Sequence, residues 1–76
     1  MERDEVLKIF SENLRAERAR KKYSQNQLAE KANITQESLY RIENQKMNPT
    51  ILIVANLALA LDVAIDTLMP LNKKTN

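Results

Sequence analysis

The sequence predicts an all-α fold of five helices without strands, and three observations support this prediction. Apolar residues recur three and four positions apart, which is the spacing of one helix face. Serine or threonine precedes three of the predicted helices, where its side-chain oxygen can cap the first turn. The apolar run at 51–54 could form a strand, but it continues to residue 61 with alanine and leucine, which favours a helix.

The composition indicates one small domain that holds neither a disulfide nor a metal. A chain of 76 residues is near the lower limit at which one apolar core is stable by itself. Cysteine and histidine are both absent, which excludes disulfides and the usual zinc ligands, and no cofactor is expected. We expect residues 1–70 to form the domain and the polar residues 71–76 to be a disordered tail.

The sequence shows no secretion signal and no membrane span. Its N-terminus is charged where a signal peptide is apolar, and its longest apolar run is far shorter than the ~20 residues that cross a bilayer. The absence of cysteine fits a reducing cytosol. We therefore expect a cytoplasmic protein with no membrane partner and no evident small-molecule ligand.

The first helix is expected to begin at Arg3 or Asp4 and to end at Lys21. Its apolar face is formed by Val6, Leu7, Phe10 and Leu14. Basic residues crowd its end: Arg15, Arg18, Arg20, Lys21 and Lys22. This cluster suits contact with a polyanion, and it equally suits a solvated helix end, where cations are favoured.

Two short helices joined by a tight turn are expected in the middle of the chain. Ser24 and Gln27 form a capping box that starts the second helix, expected at 25–32. Thr35 caps the third helix, expected at 36–44. Six positions must be small or apolar for these helices to pack at a steep angle, and they are Leu28, Ala29, Ala32, Ile34, Leu39 and Ile42. The pattern predicts a helix-turn-helix, which lays its second helix in the major groove of DNA.

The outer side of the third helix carries side chains that can read base edges. Leu39 and Ile42 define its buried side, so the candidate base-reading residues are Gln36, Glu37, Tyr40 and Arg41. Arg41 can donate twice to guanine, Gln36 can pair with adenine, and Glu37 can accept from cytosine. Alternatively, Glu37 and Arg41 form a simple ion pair on a solvated helix, and both interpretations can hold together.

The fourth helix is expected at 51–61 with Thr50 as its cap, and a short fifth helix at 65–69, ended by Pro70. The side chains expected to face the core from the fourth helix are Ile51, Val54, Leu57, Ala58 and Leu61. The apolar residues that remain outside are Leu52, Ile53 and Leu59, extended by Ile65 and Met69. Scattered surface leucines are common, but a patch of this kind favours a homodimer interface.

On these residues the sequence closely resembles the Cro/phage-repressor type of helix-turn-helix protein, also called the XRE family. The resemblance is carried by LRAERARKKYS, SQNQLAEKA, ITQESLYRIEN and NPT followed by an apolar helix ending LDV, and it covers residues 14–69. It implies a compact repressor-like domain, a partner in double-stranded DNA and a bacterial or phage origin. Small members of the family include phage repressors, antitoxins and controller proteins of restriction-modification systems, and the size fits the last group well.

The resemblance also implies roles for individual side chains. An ion pair between Arg18 and Glu43 would link the first helix to the end of the third. Gln25 would touch a phosphate and brace the recognition helix. The residues expected along the DNA backbone are Lys22, Ser24, Gln25, Asn44, Lys46 and Asn48.

Four turns depart from the family's pattern, which usually places glycine there for a positive φ. This sequence has Lys22, Asn33, Gln45 and Asp62 at the matching positions. Asn and Asp tolerate the left-handed region, whereas Lys and Gln are less comfortable in it. The turns at Lys22 and Gln45 are therefore either rearranged or strained.

Two functions of different kinds fit these observations. The first is a transcriptional regulator that binds a palindromic operator as a homodimer, with two recognition helices about 34 Å apart. The second is an antitoxin-like interaction module whose fourth helix binds a partner protein. An enzyme is not expected, because the chain has no histidine, cysteine or glycine-rich phosphate loop.

Overall fold

The computed structural model describes residues 2–69, and this part of the chain is all-helical, with five helices and no strand. The helices are α1 at Arg3–Arg20, α2 at Gln25–Ala32, α3 at Gln36–Glu43, α4 at Ile51–Leu61 and α5 at Ile65–Leu68. The predicted fold class is confirmed, and each helix ends within one residue of its expected position. The expected tail at 71–76 lies outside the described residues.

Side-chain caps start the three middle helices, as the sequence predicts. The Ser24 hydroxyl accepts from the Gln27 N–H at 3.0 Å, and the Gln27 side chain accepts from the Ser24 N–H at 2.8 Å. Thr35 caps α3 through the Ser38 N–H at 3.0 Å, and Thr50 caps α4 in the same way. Each cap satisfies a backbone donor that the helix leaves unpaired, which is worth about 1 kcal/mol.

One apolar core holds the helices together. Its buried members are Phe10, Leu14, Leu28, Ala29, Ala32, Leu39, Ile42, Val54, Leu57, Ala58, Leu61 and Leu68. Helix α2 packs against both α3 and α4, while α1 packs against α3 and α5. The Asn13 side chain also donates to the Leu68 carbonyl at 3.0 Å, tying α1 to α5. This packing fixes the crossing of α2 and α3 and leaves one side of α3 in solvent.

The first residue of α4 does not lie where the sequence predicts. Ile51 was expected in the core but is 73% exposed, so that prediction is wrong. It shares a face with the buried Ala58, but it is the first helical residue and its side chain tilts towards the N-terminus, beyond the core.

Within residues 2–69, no helix is long and apolar enough to cross a bilayer.

The five residues predicted to form a dimer interface divide into two groups. Leu52 and Leu59 are 72% and 78% exposed. Ile53, Ile65 and Met69 pack partly against the core of their own chain. Leu52 and Leu59 are seven residues apart, so they lie on the same side of α4. They are the main apolar groups that this side presents to solvent.

All four glycine-free turns adopt the left-handed conformation. The φ angles are 62° at Lys22, 61° at Asn33, 61° at Gln45 and 58° at Asp62. At each turn the residue's N–H donates to the carbonyl three positions back, and the next N–H reaches five positions back. This pattern is the Schellman motif, which satisfies the last carbonyls of a helix. The turns are therefore not rearranged, and Lys22 and Gln45 carry a strain of about 1 kcal/mol each.

Candidate nucleic-acid interface

The exposed side of α3 presents the four side chains expected to read bases. Gln36, Glu37, Tyr40 and Arg41 are all exposed, whereas Leu39 and Ile42 are buried beneath them. The helix therefore offers an amide, a carboxylate, a phenol and a guanidinium on one solvent-facing surface. These groups supply both hydrogen-bond donors and acceptors, which is the chemistry that base edges in the major groove require.

Glu37 and Arg41 form the ion pair that the sequence allows. The Arg41 Nη2 lies 3.0 Å from the Glu37 Oε2, and the two side chains are 54% and 72% exposed. A pair this exposed adds only about 0.3–0.5 kcal/mol to stability. The pair holds one guanidinium nitrogen of Arg41, and the other N–H groups of that side chain can still donate.

A buried ion pair anchors the C-terminal end of α3. The Arg18 Nε donates to the Glu43 Oε2 at 2.7 Å, and its Nη2 donates to the Oε1 at 2.9 Å. The Glu43 side chain is only 1% exposed, and a third guanidinium nitrogen of Arg18 donates to the Tyr23 carbonyl. The ion pair that the family resemblance implies for Arg18 and Glu43 is thus present, and it joins α1 to the end of α3.

Gln25 connects this ion pair to the recognition surface. Its Nε2 donates to the Glu43 Oε1 at 2.9 Å, and its Oε1 accepts from the Gln36 Nε2 at 2.7 Å. The first residue of α2 therefore holds both ends of α3 through its side chain. These two hydrogen bonds connect the start of α2 to the first and last residues of α3.

Arg15 makes a structural contact that the sequence did not predict. Its Nη1 donates to the backbone carbonyl of Glu43, at the end of α3. Arg15 and Arg18 are three residues apart and therefore share a face of α1. Two members of the basic cluster thus contact the C-terminal end of α3, and Arg20 pairs with Glu17 at 3.4 Å.

The residues expected along the DNA backbone lie before α2, at its first residue Gln25, and after α3. Lys22, Lys46 and Asn48 are exposed. Ser24 uses its hydroxyl oxygen in the capping box, so a phosphate contact there would need the hydroxyl hydrogen. The Asn44 side chain donates to the Tyr40 carbonyl at 2.8 Å. Among residues 2–69 no group of acidic side chains could hold a metal ion.

The sequence was compared with known protein families and solved structures. Residues 14–68 match the model of a family described as helix-turn-helix. No curated protein matches the sequence.

Several solved structures share the fold. The N-terminal DNA-binding domain of SinR from Bacillus subtilis is 32% identical, with a TM-score of 0.76 over 90% of this chain and 97% of that chain. The restriction-modification controller protein C.AhdI from Aeromonas hydrophila is 29% identical, with a TM-score of 0.79 over 82% and 94%. A hypothetical transcription factor from Neisseria, NHTF, is 23% identical and similar in fold, with a TM-score of 0.82 over 91% and 80%.

Proposed function

The chain belongs to the XRE-type helix-turn-helix family of DNA-binding transcriptional regulators, which are not enzymes, and we propose that it binds a palindromic operator as a homodimer. The observation that carries the proposal is the exposed polar surface of α3, held at both ends by side chains beneath it. A recognition helix needs such support, because base contacts lose affinity when the side chains that make them are loosely placed.

We assign the major-groove contacts to Gln36, Glu37, Tyr40 and Arg41. The residues assigned to phosphates are Lys22, Ser24, Gln25, Asn44, Lys46 and Asn48. Lys22 precedes α2 and Lys46 follows α3, and both side chains are positively charged and exposed. Charged contacts of this kind release counterions from DNA, so binding should weaken steeply as salt is raised.

The homodimer part of the proposal rests on the outer side of α4. Leu52 and Leu59 are large, apolar and mostly exposed, and Ile51 adds a third such side chain at the start of the helix. Covering one leucine fully is worth about 1.5–3 kcal/mol, so a second copy that covers several would be stabilised substantially. Partial exposure of Ile53, Ile65 and Met69 would enlarge the contact at its edge.

Sedimentation of the protein alone and with random duplex DNA tests the proposal. We expect a dimer in solution, and a complex with duplex DNA at low salt that dissociates as salt is raised. A monomer that ignores duplex DNA would contradict both parts of the proposal. That result would instead favour an interaction module in which α4 binds another protein.

A further inference from the structure

A pocket of about 130 Å³ lies where the start of α1 meets the start of α4 and the residue after α5. Its wall is almost entirely apolar and is formed by Val6, Leu7, Phe10, Pro49, Val54 and Met69. Two polar residues, Arg3 and Asn48, also line it. None of the four side chains assigned to base edges does so. The pocket is therefore separate from the surface assigned to bases.

Half of the apolar face of α1 opens into this pocket. Phe10 and Leu14 are buried in the core, whereas Val6 and Leu7 are only half-buried and do not belong to it. Apolar surface of this kind gains stability when an apolar group covers it. An apolar cavity of about 150 Å³ takes up benzene, so this pocket has room for an apolar group of about six carbons.

Arg3 adds a positive charge at the edge of the pocket. It lies three and four residues before Val6 and Leu7, so all three share one side of α1. The acidic Asp4 and Glu5 lie on other sides of the helix. Within residues 2–69, no carboxylate forms an ion pair with Arg3. Its guanidinium is a forked donor that matches the two oxygens of a carboxylate.

We propose that this pocket binds a small monocarboxylate whose apolar body has about six carbons. The body would cover Val6 and Leu7, and the carboxylate would accept hydrogen bonds from the Arg3 guanidinium. The Asn48 amide can donate a further hydrogen bond to the same group. An anionic head on an apolar body is the ligand chemistry that a basic side chain beside an apolar wall complements.

Asn48 connects the pocket to the surface assigned to DNA. It lines the pocket, it is exposed, and it is one of the residues assigned to phosphates. A carboxylate that accepts from Asn48 withdraws this donor from DNA and places a negative charge near the phosphates. We therefore expect the ligand to weaken DNA binding by about fivefold or more. This effect rests on the proposed function, whereas binding of the ligand itself requires no DNA.

Titration of the full chain with hexanoate, followed by NMR of the backbone amides, tests the site without DNA. We expect saturable shifts at Val6, Leu7 and Met69. Acetate lacks the apolar body and should cause none, and hexanamide lacks the charge and should bind at least about tenfold more weakly. Arg3→Gln should weaken hexanoate binding by a similar factor. Lys8→Gln removes the same charge from an exposed position of α1 outside the pocket and should leave binding unchanged.

Val6→Phe tests whether the ligand lies inside the pocket. Val6 is half-buried and lines the pocket, so a phenyl ring at this position can fill it. We expect the variant to keep the wild-type circular dichroism spectrum and to lose hexanoate binding. Ile9→Phe places the same ring at a half-buried position of α1 that does not line the pocket, and it should keep hexanoate binding.

The effect on DNA is measured by titrating duplex DNA with and without hexanoate. Acetate at the same concentration is the control, because added salt alone weakens DNA binding. Hexanoate that binds the pocket but weakens DNA binding no more than acetate does would overturn the coupling through Asn48. A protein that binds hexanoate but no DNA would overturn the proposed function and leave the ligand site standing.

Three results would overturn the ligand site and leave the proposed function standing. The first is the absence of saturable shifts with hexanoate, in the wild type and in Ile9→Phe alike. The second is equal binding of hexanamide and hexanoate, which would remove the role of the carboxylate. The third is another occupant: if Val6→Phe converts dimers to monomers, a second copy fills the pocket, and if it shifts the resonances of residues 70–76 without ligand, the chain's own end does.

Discussion

Helices α3 and α4 each bury one side in the same core, but their outer sides differ in chemical character. The outer side of α3 carries polar side chains, and hydrogen bonds from α1 and α2 hold the helix at both ends. The outer side of α4 carries Leu52 and Leu59, which are mostly exposed within the single chain. A polar side is stable in water, whereas a patch of apolar side chains usually marks a contact surface.

The difference indicates a division of labour between the two helices. The groups on α3 are suited to distinguish one base from another, because each has a defined hydrogen-bonding character. The groups on α4 have no such character and gain only by being covered. We therefore expect substitutions on α3 to change which DNA is bound, and substitutions on α4 to change how many copies bind it.

The largest effect is expected where α3 is anchored. Glu43→Ala leaves the Arg18 guanidinium without its partner in a mostly buried site, which should lower the free energy of unfolding by about 3–5 kcal/mol. Urea denaturation measures this change. The matched control is Glu37→Ala on the exposed pair, expected to cost no more than about 0.5 kcal/mol. Equal losses of unfolding free energy in the two variants would show that the buried Arg18–Glu43 pair stabilises the fold no more than the exposed Glu37–Arg41 pair.

On α4 the charged double variant Leu52→Glu with Leu59→Glu should produce monomers. Two carboxylates cannot be buried against a second copy without a large desolvation cost. Operator affinity should fall on the order of a hundredfold, because the second half-site is no longer bound by a linked helix. Analytical ultracentrifugation gives the mass, and Lys8→Glu on α1 is the control for added negative charge. An unchanged sedimentation coefficient would refute an interface on α4.

A smaller change is expected from Arg41→Ala on α3. Losing the two donors to guanine should cost about 1–3 kcal/mol on the selected operator and relax the preference at one or two positions. Binding titrations on the operator and on random duplexes measure both effects. Lys46→Ala is the comparison, since a phosphate contact should weaken binding to all sequences and lower the salt slope by about one. A uniform loss in Arg41→Ala would mean that it does not read bases.

The smallest effect is expected at the turn that leads from α3 towards α4. Gln45 has a φ of 61°, so Gln45→Gly should relieve strain and stabilise the fold by about 0.5–1 kcal/mol. Asn33→Gly at the matching turn after α2 should change stability little, because asparagine already tolerates this region. Thermal unfolding compares the two. A destabilised Gln45→Gly protein would show that the Gln45 side chain contributes more than the strain costs.

The helices and their caps could be predicted from the sequence because their signals are local. Ser24, Thr35 and Thr50 each lie beside the backbone donors that they satisfy, so spacing alone identified them. Ile51 shows where spacing fails, since periodicity gives the face of a side chain but not how far the core extends along the helix.

The anchoring of α3 could be predicted only in part. Arg18 and Glu43 are 25 residues apart, and the family resemblance, not the periodicity, paired them. The Arg15 contact with the Glu43 carbonyl joins residues 28 positions apart and depends on how α1 crosses α3. No spacing rule encodes such a crossing, because it results from the packing of the whole core.

Selecting bound duplexes from a random pool tests most directly whether this protein reads DNA with a pair of α3 helices. We expect an enriched palindrome whose half-sites are centred about 34 Å apart, or roughly one turn of DNA, because two recognition helices related by a two-fold axis enter successive major grooves. An enriched site without two-fold symmetry, or no enrichment at all, would contradict this expectation.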